Sequence, residues 1–453
     1  LSPLTVLNIS QTMRTLLLLA VLCYTAFAAK TLTVFPCSQR ECTTLASSLA
    51  NTGIDVRSFT SLGVFAIQDD ETSLRSGSVH VSPYCPHLDH YAVWQREFAW
   101  ENDEAFTTEL NTLQKIFHMT YVPVVGEMYI LRSNETMNVF NFIGRNTVAV
   151  KLLEHPYVPA PERYTEEIKA KNPAIEKILS AVDPAEMKKQ LDYLTSESIF
   201  TRNSYSQGAI AASKYLRETY ESYGFTATLE SFRTDMSDNV VAILQGSELP
   251  NEVVVLGAHY DSRGPSRNSP TQRAPGANDD GSGTALLLEF ARLVKSLDIK
   301  FRRTIHIVSF GGEEQGLIGS RAYANKLASQ NVNVYAMLQS DMVAYRRPGE
   351  VTQLAFPSTI TTPWVQRVCE DTTRLYVPAI TVGITPACCS DHQSFIEAGF
   401  PATQLFERNG PIADPQYHKS EDIVDRLGYD IEGELYQITK ALIASACELS
   451  EVV

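Results

Sequence analysis

Basic residues are scarce in this chain: 38 Lys and Arg stand against 52 Asp and Glu, a formal net charge of −14. No lysine-rich or arginine-rich block appears. That balance argues against nucleic acid or an anionic membrane as the main partner. No apolar run reaches the roughly 20 residues that a membrane span needs. There is no Cys-x-x-Cys pair, which removes a cysteine zinc site. Neither a GxSxG elbow nor an HExxH helix motif occurs, so serine-hydrolase and zincin chemistry lack support. With 44% hydrophobic and 20% charged residues over 453 positions, the chain is an ordinary globular one, long enough for more than one domain.

The first informative segment is RTLLLLAVLCYTAFAA, residues 14 to 29, directly after Met13. A basic residue, an apolar run and Ala26-Phe27-Ala28 form the three parts of a secretory leader. We expect residues 1–12 to be translated upstream sequence and 13–28 to be a signal peptide. The destination is then extracellular, or a lysosomal or vacuolar lumen. Losing the leader removes Cys23 and leaves an odd number of cysteines, so at least one thiol stays unpaired or pairs with another molecule. Asn134-Glu135-Thr136 is an acceptor sequon for glycosylation.

EHPYVPAPERYTEE, residues 154 to 167, has the proline-rich, charged composition of a linker. We therefore divide the mature chain into an N-terminal prosegment or accessory domain, 29–165, and a main domain, 166–453. The N-terminal part mixes strand-like runs (TLTVFP, GVFAIQ, MYILRS) with the helix-like DEAFTTELNTLQKIF, a smaller α+β region. Its His80, His87, His90 and His118 are scattered among ordinary polar residues. No internal repeat is visible in the sequence.

In the main domain, β-rich apolar runs alternate with amphipathic helices. The segment from about 283 to 297 has Leu286, Phe290, Leu293, Val294 and Leu297 on one face. Runs such as EVVVLGAH and RTIHIVSF are apolar throughout, as strands covered on both faces are. The pattern predicts an α/β fold, a mostly parallel mixed sheet sandwiched by helices.

Ligands of open α/β sheets bind beyond the carboxyl ends of the strands. His259-Tyr260-Asp261 follows one run, Glu313-Glu314 the next and Asp341 a third. Asp279 and Asp280 precede the helix at 283, and His418 follows the run PATQLFE. Singly, each has a plain explanation: the acids can cap helices, and His418 can be a surface histidine. His306, flanked by isoleucines within a strand, is read as a core residue. Two adjacent carboxylates such as Glu313 and Glu314 repel each other and resist burial unless positive charge lies nearby. Imidazoles and carboxylates together are the ligand set of catalytic zinc, and a two-metal hydrolase adds a bridging carboxylate and a base that is not a ligand. In an extended segment residues two apart point the same way. Asp261 is therefore expected to reach the far nitrogen of His259 and fix its tautomer.

GAHYDS, PGANDDGSG, GGEEQGLIGS, LQSDM, SDHQSF and YHKSED, in this order, make the chain similar to secreted two-zinc aminopeptidases of the bacterial leucyl aminopeptidase type. These sit in a zinc exopeptidase family that also includes glutamate carboxypeptidases and glutaminyl cyclases. The resemblance runs from about Val182 to the C-terminus. It implies two zinc ions, with His259 and Asp341 on one, Glu314 and His418 on the other, and Asp279 bridging. It implies a peptide substrate with a free N-terminus, attacked by a zinc-bound water with Glu313 as general base. The implied substrate pocket comprises Met342, Cys389, Gln404, Phe406 and Tyr417. Family members often close a small disulfide loop before SDH, but here Thr385 and Ala387 replace the upstream cysteine and the aromatic residue. Cys389 is left to pair with Cys369, Cys447 or Cys388, or to stay free.

Three other readings compete with an aminopeptidase. A glutaminyl cyclase uses one zinc and no hydrolytic water, and the complete double set disfavours it. A carboxypeptidase or dipeptidase needs cations to grip a terminal carboxylate, for which Arg263, Arg346, Arg347 and Arg408 are placed. A non-catalytic ectodomain would be expected to have lost ligands, and none is missing.

Overall fold

The computed structural model describes residues 163–164, 168, 170–358, 360–387 and 390–453, together with eight backbone strands between residues 30 and 151. Contacts divide the chain into two units, Leu1–Val158 and Pro159–Val453.

The first unit holds β1 (Lys30–Pro36), β2 (Asp55–Phe59), β3 (Gly63–Asp69) and β4 (Val79–Pro83), then β5 (Asp89–Gln95), β6 (His118–Val122), β7 (Met128–Ser133) and β8 (Thr147–Lys151). They form two antiparallel sheets, of order β2-β3-β1-β4 and β6-β7-β5-β8. The second order is the first with every strand advanced by four. The repeat that the sequence hides is thus present in the backbone. Strand pairing needs a period-two pattern and suitable connections, not matching residues. The helix-like segment DEAFTTELNTLQKIF lies outside the described residues.

The second unit is built on six strands: β9 (Thr226–Glu230), β10 (Asn239–Leu244), β11 (Leu249–His259), β12 (Arg303–Phe310), β13 (Asn333–Ser340) and β16 (Ala402–Leu405). Their order is β16-β13-β11-β12-β10-β9. β16, β13, β11 and β12 run parallel, while β10 is antiparallel to both β12 and β9. A separate parallel pair, β14 (Gln353–Pro357) and β15 (Thr381–Thr385), lies beyond β13 in sequence. The alternate residues Val254, Leu256, Ala258, Ile305 and Ile307 join one large core with helices α1 (Pro173–Leu179), α2 (Pro184–Leu194), α3 (Gln207–Ser222), α4 (Ser282–Ser296), α6 (Pro363–Tyr376) and α8 (Tyr436–Ser450). On the opposite face Phe310 packs against Tyr323 of α5 (Ile318–Ser329) and Phe395 of α7 (His392–Glu397). Both faces of the sheet are therefore covered, which is why its central strands read as unbroken apolar runs.

Helix starts follow local chemistry. Asn172 and Asp183 each cap a helix whose first residue is proline, and Ser206 caps α3 by accepting from Ala209 N. Among the described residues no helix is long and apolar enough to cross a membrane. Cys369 and Cys447 are free and buried, so neither pairs with Cys389, which itself lies outside the described residues. His306 is a core histidine, its Nδ1 2.9 Å from the Tyr323 hydroxyl.

Candidate metal centre

The parallel strands β11, β12 and β13 end side by side at His259, Phe310 and Ser340. Their following loops bring His259, Glu313, Glu314 and Asp341 to one rim. The loop before α4, Ala277–Gly281, brings Asp279 and Asp280 through non-helical backbone. This loop fits against the end of β13 because position 283 is glycine. A Cβ there would lie 2.4 Å from the Ser340 carbonyl oxygen and 2.7 Å from the Asp280 carboxylate. His418 and Met342 both have left-handed backbone, with φ of 58° and 54°. Such conformations are costly for non-glycine residues and concentrate at functional sites.

Asp279 lies between the two histidines. Its Oδ1 is 3.1 Å from His259 Nε2 and its Oδ2 is 3.0 Å from His418 Nε2. Asp341 Oδ1 is 3.7 Å and Glu313 Oε2 is 3.9 Å from His259 Nε2, while Glu314 Oε2 is 3.3 Å from His418 Nε2. Two trios have all their donor atoms within 4.8 Å of one another: His259, Asp280 and Asp341, and Asp279, Glu314 and His418. Buried Asp279 Oδ2 and Glu314 Oε1 have no hydrogen-bond partner among the described residues. Buried carboxylate oxygens left without a partner are costly unless a cation lies close to them. The residues present therefore fit divalent metal.

Electrostatics point the same way. Burial raises the Glu313 carboxyl well above its ordinary range, with Glu314, Asp391 and Asp341 adding to the shift and His259 opposing it. Burial also raises Glu314, against the pull of Arg263, and raises Asp280 strongly with help from Asp341. Burial alone would lower His259, but Glu313 and Asp341, with Asp261 and Asp279, carry it well above the usual imidazole value. Asp341 moves down despite burial because His259 and Ser390 favour its charge. So many acids can all ionise here only with added positive charge.

Asp261 differs from expectation. Its carboxylate Oδ1 is 3.6 Å from His259 Nδ1, beyond a hydrogen bond. The acceptor in range is the Asp261 backbone carbonyl, at 3.1 Å. The carboxylate is taken instead by the amides of Glu313 and Glu314, at 3.1 and 3.3 Å. It holds the two loop acids rather than the imidazole. Asp280 has a related role: its oxygens accept from the amides of His259, Gly283 and Met342.

Sequence reasoning did not single out Asp422 or Arg426. Asp422 accepts from the amides of Asn278 and Asp279, and Arg426 pairs with both Asp422 and Asp414. Asp422 falls within the quoted YHKSED segment, but nothing in its spacing says that it reaches a loop more than a hundred residues earlier. Of the pocket residues, Met342, Phe406 and Tyr417 come together in an apolar cluster with Ala355, Ala387 and Ile412. Tyr417 stacks on the His418 ring at 3.5 Å. Gln404 is not in that cluster. Its strand register pairs it with Gln339, whose amide donates to Ser390 and Asp391. Cys389 lies outside the described residues.

The sequence model described as Peptidase family M28 matches residues 239–443. Leucine aminopeptidase 1 of Metarhizium robertsii is 31% identical over 275 residues, which are 56% of this chain and 68% of that protein. Leucine aminopeptidase 1 of Phaeosphaeria nodorum is 31% identical over 295 residues, 62% of this chain and 74% of that protein. Among solved structures, the LapA aminopeptidase of Legionella pneumophila superposes with a TM-score of 0.61 at 20% identity, covering 80% of this chain and 98% of that one. LapB from the same organism gives 0.61 at 18% identity, covering 80% and 99%. The structural likeness speaks to fold, and the sequence relatives carry the assignment: this chain belongs to peptidase family M28.

Proposed function

We propose that the protein is a zinc-dependent aminopeptidase that holds two zinc ions and removes residues from peptides with a free N-terminus. The observation that carries this reading is the position of Asp279, one oxygen toward His259 and the other toward His418. A shared carboxylate between two imidazole–carboxylate groups is the arrangement of a two-metal hydrolase. His259 and Asp341 would hold one ion, Glu314 and His418 the other.

Bound zinc supplies Lewis acidity and lowers the pKa of a coordinated water toward neutrality. Glu313 would take the proton from the attacking water. Its carboxyl would then pass that proton to the leaving amine. The amides of Glu313 and Glu314, tied to Asp261, keep base and ligand in fixed relation. The cluster of Met342, Phe406 and Tyr417 would receive an apolar side chain. Support for a carboxylate-gripping exopeptidase weakens, because Arg346 is spent on Asp430 and Arg408 on Glu350. Secretion rests on the leader pattern of residues 13–28.

Replacing Glu313 with Gln tests the base. We expect zinc content to persist and kcat on an aminoacyl p-nitroanilide to fall by roughly 10²–10⁴-fold. Near-normal turnover in that variant would reject the assignment.

A further inference from the structure

The chain that leaves β16 at Leu405 walls the apolar cluster beside the centre. It pairs with β14 at Phe406, whose amide donates to the Ala355 carbonyl at 3.0 Å and whose carbonyl accepts from the Ala355 amide at 2.8 Å. It then reaches β15. Gly410 N donates to the Ile384 carbonyl at 3.2 Å, and Asn409 Nδ2 donates to the Thr381 carbonyl at 3.2 Å. Arg408 between them is pinned by Glu350 through two contacts of 3.0 and 2.8 Å. Beyond Gly410 the same segment supplies Ile412 to the cluster, while Ala387, past the end of β15, joins it from the other chain.

One side chain ties these two pieces together. Thr385, the last residue of β15, is fully buried. Its Oγ1 donates to the Gly410 carbonyl at 2.7 Å and accepts from the Ala387 amide at 2.9 Å. A hydroxyl has a single proton to give, and here it goes to Gly410. Gly410 turns with φ of 120°, backbone that favours glycine. Valine would fill nearly the same space as Thr385, so what the hydroxyl adds is the bridge itself. It satisfies an amide on the Ala387 side and a carbonyl on the Ile412 side at once. Neither partner belongs to the metal centre.

We propose that Thr385 is a specificity-determining positioning residue: its hydroxyl sets the separation of the Ala387 and Ile412 sides of the apolar pocket, and with it the fit of substrates whose N-terminal side chain is large and apolar. A leucyl side chain would meet both sides, and an alanyl methyl would be too short to do so. Losing the bridge therefore weakens binding of the first and spares the second. Thr385 acts through the pocket wall and takes no part in the bond-breaking step. The inference rests on the reading given above, in which this cluster receives the side chain of an aminopeptidase substrate.

The test measures kcat and KM of the zinc-loaded full chain on leucyl and alanyl p-nitroanilides, for wild type, Thr385→Val and Thr385→Ser. In Thr385→Val the leucyl KM should rise by roughly 2- to 10-fold, the range of one net hydrogen bond. Its kcat and the alanyl KM should hold, the pattern of lost binding that is common to ground and transition states. Thr385→Ser keeps the hydroxyl and should restore the leucyl KM. Gly410→Ala reaches the same bond from its other end, because alanine disfavours φ of 120°, and it should shift the leucyl KM in the same direction should Thr385→Val fail to fold. A leucyl-to-alanyl ratio unmoved in either variant, or a Thr385→Ser protein that behaves like Thr385→Val, overturns the proposal while leaving the aminopeptidase reading intact. A wild type that shows no preference between the two substrates overturns the pocket reading and this proposal together.

Discussion

Asp261 is fully buried, and its carboxylate is the common acceptor for two consecutive amides, those of Glu313 and Glu314. Replacing it with Ala removes both acceptors at once. A buried amide left without a partner costs about 1–3 kcal/mol, so Asp261→Ala should lose roughly 2–6 kcal/mol, shared between global stability and displacement of this loop. If the loop moves to find water, Glu313 shifts with it, and a displacement of about 1 Å can cost on the order of 10²-fold in rate. Asp261→Asn keeps one oxygen and turns an NH₂ toward the other amide, so it should fall between wild type and Ala. The assay combines kcat and KM on an aminoacyl p-nitroanilide, bound zinc by elemental analysis and the urea midpoint. We expect kcat to drop with little change in KM, the signature of a lost transition-state contribution, together with a lower midpoint. His259 should keep its tautomer in both variants, because the carbonyl behind Nδ1 belongs to the backbone. An Asp261→Ala protein with wild-type kcat, zinc and midpoint would refute this account of the clamp. Loss of the His259 tautomer with an unmoved Glu313 loop would return the carboxylate to the role first expected of it.

Three further perturbations follow. Arg426→Met leaves Asp414 and Asp422 buried without their cation; breaking such a pair costs about 3–5 kcal/mol, so the urea midpoint should fall, with zinc lost as the Asn278–Asp279 loop loosens. His306 is held down to about 4 by burial, with Lys326 adding to the shift. A histidine depressed in the folded state contributes stability that is present above its ordinary pKa near 6.5 and is lost as pH falls from there toward 4. The loss amounts to roughly 3 kcal/mol across that window, and His306→Gln should flatten the pH dependence of the urea midpoint between pH 7 and pH 4.5. A chain beginning near Lys169 should turn over substrate faster than one carrying residues 29–165 if that segment restrains the enzyme; equal rates would remove the idea.

Much of the centre was legible because its residues are tied to strand ends. An apolar run read as a buried strand fixes where the next polar residue emerges, and parallel strands deliver those residues to one rim. His259, Glu313, Glu314 and Asp341 follow from that rule alone. Asp279 needed the helix start at 282, and His418 was reached through the loop that follows the run PATQLFE. The Asp261 carboxylate stands 3.6 Å from His259 Nδ1, farther than the period-two rule implies, because that rule holds within a strand and β11 ends at His259. Past that end the chain turns, the carbonyl faces the imidazole, and the carboxylate becomes available to a different loop. The β14–β15 pair went unread although Pro348-Gly349 precedes it and Pro386 follows it, because runs of five residues carry too little periodicity to separate strand from loop.

What spacing cannot carry is a contact whose partner lies on an unrelated loop. Arg263 is four residues past His259 in sequence, yet its partners are Glu314 and His418. Both contacts exist because the loops after β11, β12 and β16 reach one rim, and no local pattern in the sequence records which of those loops will meet.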